Sequence, residues 1–158
     1  MLSKEIMRFP IRYLLLGFMI LVMLNPIKIS ASELTQDEII KYQQEEEQRQ
    51  LSNTLTGLAI AQKGKWYGQC VIGVRQFLRV GKNKISGRAK DFETQGTEPV
   101  IGAVIKLNMS KYGHVGVVIS FTEEEITYYD TNGDWKGRAA IRTIDSEDKR
   151  ILGYKIVN

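Results

Sequence analysis

One cysteine, Cys70, and one histidine, His114, are the whole supply of the two residue types that most often carry metal or nucleophilic chemistry. A lone cysteine cannot close an internal disulfide, so no covalent staple holds this fold. Two Cys/His side chains also fall short of the four ligands of a structural zinc site. Phosphate-cradling glycine patterns of the Walker or Rossmann type are missing, as are internal repeats and low-complexity tracts. No cofactor and no metal is implied. The formal charge of +4 belongs almost entirely to one end. Four of the 22 basic and one of the 18 acidic residues fall within the first 31, which leaves 18 basic against 17 acidic in the remainder. A body so close to neutral gives no electrostatic reason to expect nucleic-acid binding.

What is present supports a packed domain. The chain has 158 residues, 43% of them hydrophobic and 25% charged, enough for one domain with an extension. Lys4, Arg8 and Arg12 precede the apolar run Leu14–Leu24, which breaks at Asn25-Pro26 before the small residues Ser30-Ala31-Ser32. Charged start, apolar middle and small-residue end are the three parts of a secretory signal. The alternative is an uncleaved anchor, but a bilayer-spanning helix needs about 20 apolar residues and this run is shorter. Residues 1–32 are therefore read as a signal or anchor, with membrane contact through this segment in the second case. The product is expected to be secreted or held in the cell envelope. A free thiol outside the cell is open to oxidation unless it has a use. The competing reading of Cys70 is a buried, inert small hydrophobe.

Thr35-Gln36-Asp37-Glu38 has the form of a capping box. From there to about Gln62 the sequence is polar and helix-favouring, with Leu51, Leu55 and Leu58 at helical spacing near its end. Residues 33–63 are read as a solvated helical lead-in whose later turns pack on a domain spanning 64–158. Val71, Val74, Phe77 and Leu78 share one helical face, which puts Cys70 at a helix start. A polar, glycine-rich segment from Gly81 to Glu98 follows, with a short helical turn near Arg88–Phe92. Short β-prone runs then occupy Ala103–Leu107, His114–Phe121, Ile126–Asp130, Ala139–Ile144 and Leu152–Val157. Helices first and antiparallel strands afterwards define an α+β class.

Thiol hydrolysis needs a thiolate, a base and a group that orients the base. Cys70 and His114 have no rivals for the first two roles. The positive end of a helix favours a thiolate, and free amides there can hold an oxyanion. His114 heads an apolar strand, and an antiparallel hairpin returns the end of the next strand beside it. Asp130 or Asn132 is thereby placed to orient the imidazole. Each also has a bland reading, His114 as a structural histidine and Asp130 as a turn residue.

Tyr67-Gly68-Gln69-Cys70 entering a helix, Pro99–Val104, Tyr112-Gly113-His114-Val115-Gly116-Val117-Val118 and Asp130-Thr131-Asn132, in this order, resemble the cysteine, histidine-dependent amidohydrolase/peptidase (CHAP) family. The similarity runs from about Gly64 to Asn158. It implies a papain-like α+β fold, with the nucleophile at a helix start packed on a small antiparallel sheet. It further implies Cys70 as nucleophile, His114 as base, Asp130 at the family's acidic position and Asn132 as a supporting polar residue. Many members cut bacterial peptidoglycan as amidases or endopeptidases, so a peptidoglycan peptide or other peptide-like substrate is implied. Trp66, Tyr67, Gln69 and Trp135 are the candidate substrate-binding residues, although aromatics so placed serve as often in packing. Lys106, Lys111 and Lys136 read as solubility charges. The short span from Cys70 to His114 points to reduced substrate loops, and with no wall-targeting module attached an accessory enzyme is expected rather than a free-standing lysin. The alternatives are a non-catalytic binding or inhibitory module of the same fold, and a thiol hydrolase acting on a protein or lipid-acyl substrate.

Overall fold

The capping box forms as its residues predict. In the computed structural model, which describes residues 35–157, Thr35 Oγ1 accepts the Glu38 N–H at 3.3 Å. The Glu38 carboxylate in turn accepts the Thr35 N–H at 2.8 Å and its hydroxyl at 2.9 Å. This opens helix α1, Gln36–Gln62. The segment read as an export signal, residues 1–32, lies outside the described residues. Contacts divide the chain into two compact units, Met1–Ile39 and Ile40–Asn158. The described part of the first is the start of α1, and the second carries the sheet. Among the described residues no helix is long and apolar enough to cross a membrane.

Through its middle α1 is exposed, with Lys41 beside Glu45 and Arg49 beside Glu46 as solvent-facing pairs. Such pairs stabilise a helix by only a few tenths of a kcal/mol each, about 0.2–0.5. Its last turns are different. Ala59 is buried, Leu55 and Leu58 pack against the core, and the Ser52 hydroxyl donates to the Ile119 carbonyl at 2.7 Å.

Helix α2, Cys70–Leu78, buries Val71, Gly73, Val74 and Phe77. It stops where Arg79 turns left-handed (φ 57°) and the Val80 N–H returns to the Arg75 carbonyl at 3.1 Å. The loop after it is pinned by buried Ile85, Ala89 and Phe92, with one 3₁₀ turn at Ala89–Asp91. Five strands follow: β1 Val104–Leu107, β2 His114–Phe121, β3 Glu125–Thr131, β4 Ala139–Asp145 and β5 Ile151–Lys155. They pair antiparallel in the order β4-β3-β2-β1-β5, with β2 at the centre. The fold is α+β.

Strand β2 is buried on both faces, which is why it reads as a continuous apolar run rather than an alternation. Val115, Val117 and Ile119 join Tyr129 and the helices in one cluster, where the Phe77 and Tyr129 rings stack at 4.1 Å. Val118 joins Ile105, Leu107, Ile126, Tyr128, Ile144 and Tyr154 in a second cluster supplied by the sheet itself.

One close approach sets α2 against the sheet. A Cβ at Gly73 would lie 2.2 Å from Thr131 Oγ1, so only glycine lets the helix reach the end of β3. Thr131 is fully buried, and its hydroxyl donates to the Gln69 carbonyl at 3.0 Å, one residue before Cys70. It has nowhere to retreat. Gly73→Ala is therefore expected to destabilise the fold by about 1–3 kcal/mol, against the roughly 1 kcal/mol that alanine normally contributes in a helix. Urea unfolding measures this, and an unchanged midpoint would show that the helix can simply slide.

Candidate active site

Cys70 is the first residue of α2, and Gln69 before it is extended (φ −130°, ψ 145°) with no side-chain cap. The amides of a helix's first turn have no partner within the helix, and the dipole there is positive. The half-buried sulfur lies within reach of the Val71 N–H and, across from the helix, of the Val115 N–H of β2, and both amides favour its charged form. Helix and sheet thus converge on one atom.

His114 begins β2, and Asp130 near the end of β3 is paired with Gly116. Residues two apart on a strand share a face, so the imidazole and the carboxylate lie on the same side of adjacent strands. His114 Nε2 meets Asp130 Oδ2 at 2.8 Å. Both side chains are buried, Asp130 completely. Cys70 is the other group that acts on the imidazole, each favouring the charged form of the other, and with Nε2 engaged by the carboxylate, Nδ1 is the nitrogen left for the thiol.

The electrostatics follow from these contacts. Burial pushes the Cys70 thiol up, but the bond and charge of His114 and the two amides outweigh it and hold the pKa below its ordinary 9.0. Burial likewise opposes a charged His114, yet the Asp130 bond, reinforced by Cys70, raises it to about 9. The two shifts run in opposite senses, the thiol down and the imidazole up, and each makes the thiolate–imidazolium form of the pair easier to reach. A thiolate is the nucleophilic form of cysteine, and an imidazolium can protonate a leaving amine.

Of the residues singled out from sequence, the structure joins Cys70, His114 and Asp130. Asn132 sits instead in the β3–β4 turn, left-handed at φ 72°, and its Oδ1 accepts the Gly137 N–H at 2.8 Å. It shapes the turn, and the side chain bonded to the imidazole is that of Asp130. Trp66, Tyr67 and Gln69 line an open cleft of ≈ 570 Å³ together with Gly68, Ile72 and Gln76. Trp66 is exposed and its ring lies over Gly68, where a Cβ would come within 3.2 Å. Tyr67 directs its hydroxyl away, donating to Gln62 Oε1 at 2.6 Å. Trp135 is exposed in the β3–β4 turn and lies outside that lining. Tyr128 and Tyr129 belong to the core, and burial pushes the Tyr128 phenol up to about 12. Lys106 donates to the Lys90 carbonyl at 2.8 Å.

Sequence reasoning missed Arg142 on β4. Its Nε lies 3.0 Å from Asp130 Oδ2 and 3.2 Å from Oδ1. The signal was available only through register. β4 pairs Ala140 with Asp130, which puts Arg142 two residues along on the same face, within diagonal reach of a long side chain.

No family model matches the chain, and no curated protein matches it. Among solved structures, one titled "The crystal structure of Ly7917" aligns over 67% of this chain and 62% of its own, with TM-score 0.48 and 16% identity. The chain therefore spans less than two thirds of that structure's length.

Because Cys70 is the sole thiol, alkylation reports on it alone. Iodoacetamide is expected to label it rapidly at pH 7, and His114→Ala to slow labelling roughly tenfold for each unit by which the thiol pKa rises. A variant that labels as fast as wild type would show that His114 does not activate the thiol.

Proposed function

We propose that residues 64–158 form a papain-like thiol hydrolase of the CHAP type, exported to the cell envelope or beyond it. The proposed reaction is cleavage of peptide-type amide bonds in bacterial peptidoglycan. The observation that carries this reading is His114, bonded to buried Asp130 and acting on the Cys70 thiol, with the sulfur at a helix start. The exported location rests on the sequence of residues 1–32.

Each residue then has a step. The Cys70 thiolate attacks the amide carbonyl, and the tetrahedral oxyanion is held by free amides at the start of α2. As the C–N bond breaks, imidazolium His114 gives its proton to the leaving amine. Neutral His114 next takes a proton from water, whose oxygen attacks the thioester. The acid leaves, and thiolate and imidazolium are restored. Asp130 holds the ring and stabilises its charged form throughout, as the acid of a catalytic triad does. The cleft lined by Trp66, Tyr67 and Gln69, residues that lead into Cys70, is where the substrate chain would lie.

Incubation with purified cell wall tests the proposal. New amino termini within the stem or cross-bridge peptides identify an endopeptidase, and free lactyl carboxyl groups on the glycan identify an amidase. Cys70→Ser should keep the wild-type unfolding midpoint while losing all turnover above background. Wall that is bound but left intact by the wild-type protein would mark a non-catalytic module and refute the hydrolase.

A further inference from the structure

The proposed reaction uses Cys70, His114 and Asp130, but it leaves Arg142 without a part. We propose that Arg142 is a positioning residue of this site, bonding both oxygens of Asp130 so that Oδ2 stays aimed at His114 and the imidazole stays beside Cys70. The inference rests on reading those three residues as one site, but its test does not depend on what the site cleaves.

The geometry supplies the argument. Arg142 Nε straddles the carboxylate, at 3.0 Å and 3.2 Å from its two oxygens, while His114 Nε2 takes Oδ2 at 2.8 Å. A carboxylate held by the imidazole alone could rotate about its Cβ–Cγ bond. A second donor on both oxygens removes that freedom. The turn after β3 closes the remaining side, since a Cβ at Gly133 would stand 2.3 Å from Asp130 Oδ2 and 2.7 Å from Arg142 Nε.

Charge gives a second reason. Asp130 is fully buried, and a buried carboxylate persists only when paired. During catalysis His114 surrenders its proton and is for a time neutral. Arg142 cannot surrender its own. It therefore leaves Asp130 with a charged partner through the half of the cycle in which the imidazole provides no charge. The row from α2 across β2 and β3 to β4 sets thiol, imidazole, carboxylate and guanidinium side by side. The other titratable groups in reach are Tyr128, which shares the Asp130 face, and Asp148 and Arg150, which act on Tyr128 from the turn before β5. From β1 the residue opposite His114 is the apolar Leu107.

His114 is the only histidine, so its imidazole signals in an NMR titration need no assignment. In wild type they should titrate near about 9. Arg142→Gln is expected to lower that midpoint by roughly one unit or more toward the ordinary value, and to slow Cys70 alkylation at pH 7 by about five- to tenfold. Arg142→Lys, which keeps the charge, should recover at least half of both changes. The sign is decisive. If Arg142 acted only as a nearby positive charge, removing it would relieve repulsion and raise the His114 midpoint. A rise, or no change, would overturn the proposal.

Gly133→Ala provides the same test without altering any charge, should Arg142→Gln fail to fold. Its methyl group would pry Asp130 and Arg142 apart, and the His114 midpoint should again fall. An unaltered midpoint in that folded variant would likewise overturn the proposal. Because neither measurement needs a substrate, a failure to cut cell wall would count against the hydrolase reading while leaving this result intact.

Discussion

A carboxylate with no exposure to water has to find its stabilisation inside the protein, and Asp130 finds it in two cations that arrive from opposite sides. Removing one partner from such a group costs several kcal/mol, about 3–5, because the charge left behind stays buried. The strands on either side of β3 are thereby tied to it through chemistry as well as through the backbone ladder. His114 comes from β2, at the centre of the sheet, and Arg142 from β4, at its edge. The state of the thiol depends on this pairing in turn. Without Asp130, His114 would lose its strongest support against burial, and Cys70 would face a partner less able to bring its own pKa down.

The scaffold holds this row in register by close packing. Gly73 brings α2 against buried Thr131, and the Thr131 hydroxyl holds the Gln69 carbonyl. Thr131 directly follows Asp130, and Gln69 directly precedes Cys70. One contact accordingly sets the distance between the thiol and the carboxylate. Gly133 does the equivalent on the far side, where any side chain would collide with the Asp130–Arg142 pair.

Much of the architecture could be read before any coordinates. The capping box at Thr35–Glu38 and the start of α2 at Cys70 follow from side chains a few residues apart, where local bonding dominates. The strand runs at 103–107 and 114–121 matched because their apolar residues have to leave water whatever the topology. The partnership of His114 with Asp130 was legible for a further reason, since a short hairpin leaves little freedom in which residues face each other. Asn132 was not resolved from Asp130 on the same logic. Residues two apart on a strand share a face, but β3 ends at Thr131, and only the left-handed turn at Asn132 shows that its side chain is spent on the Gly137 amide.

By itself, then, the sequence determined the chemical inventory: a single thiol, a single imidazole, an order of elements that presents them from a helix start and a strand start, and a nearly neutral body. These are properties of composition and short-range pattern. Only the tertiary structure decided which groups share a burial site. Arg142 stands twelve residues beyond Asp130, on a strand with no feature to single it out. Its role is set by pairing register and by the absence of water around the carboxylate, and neither is written in local sequence.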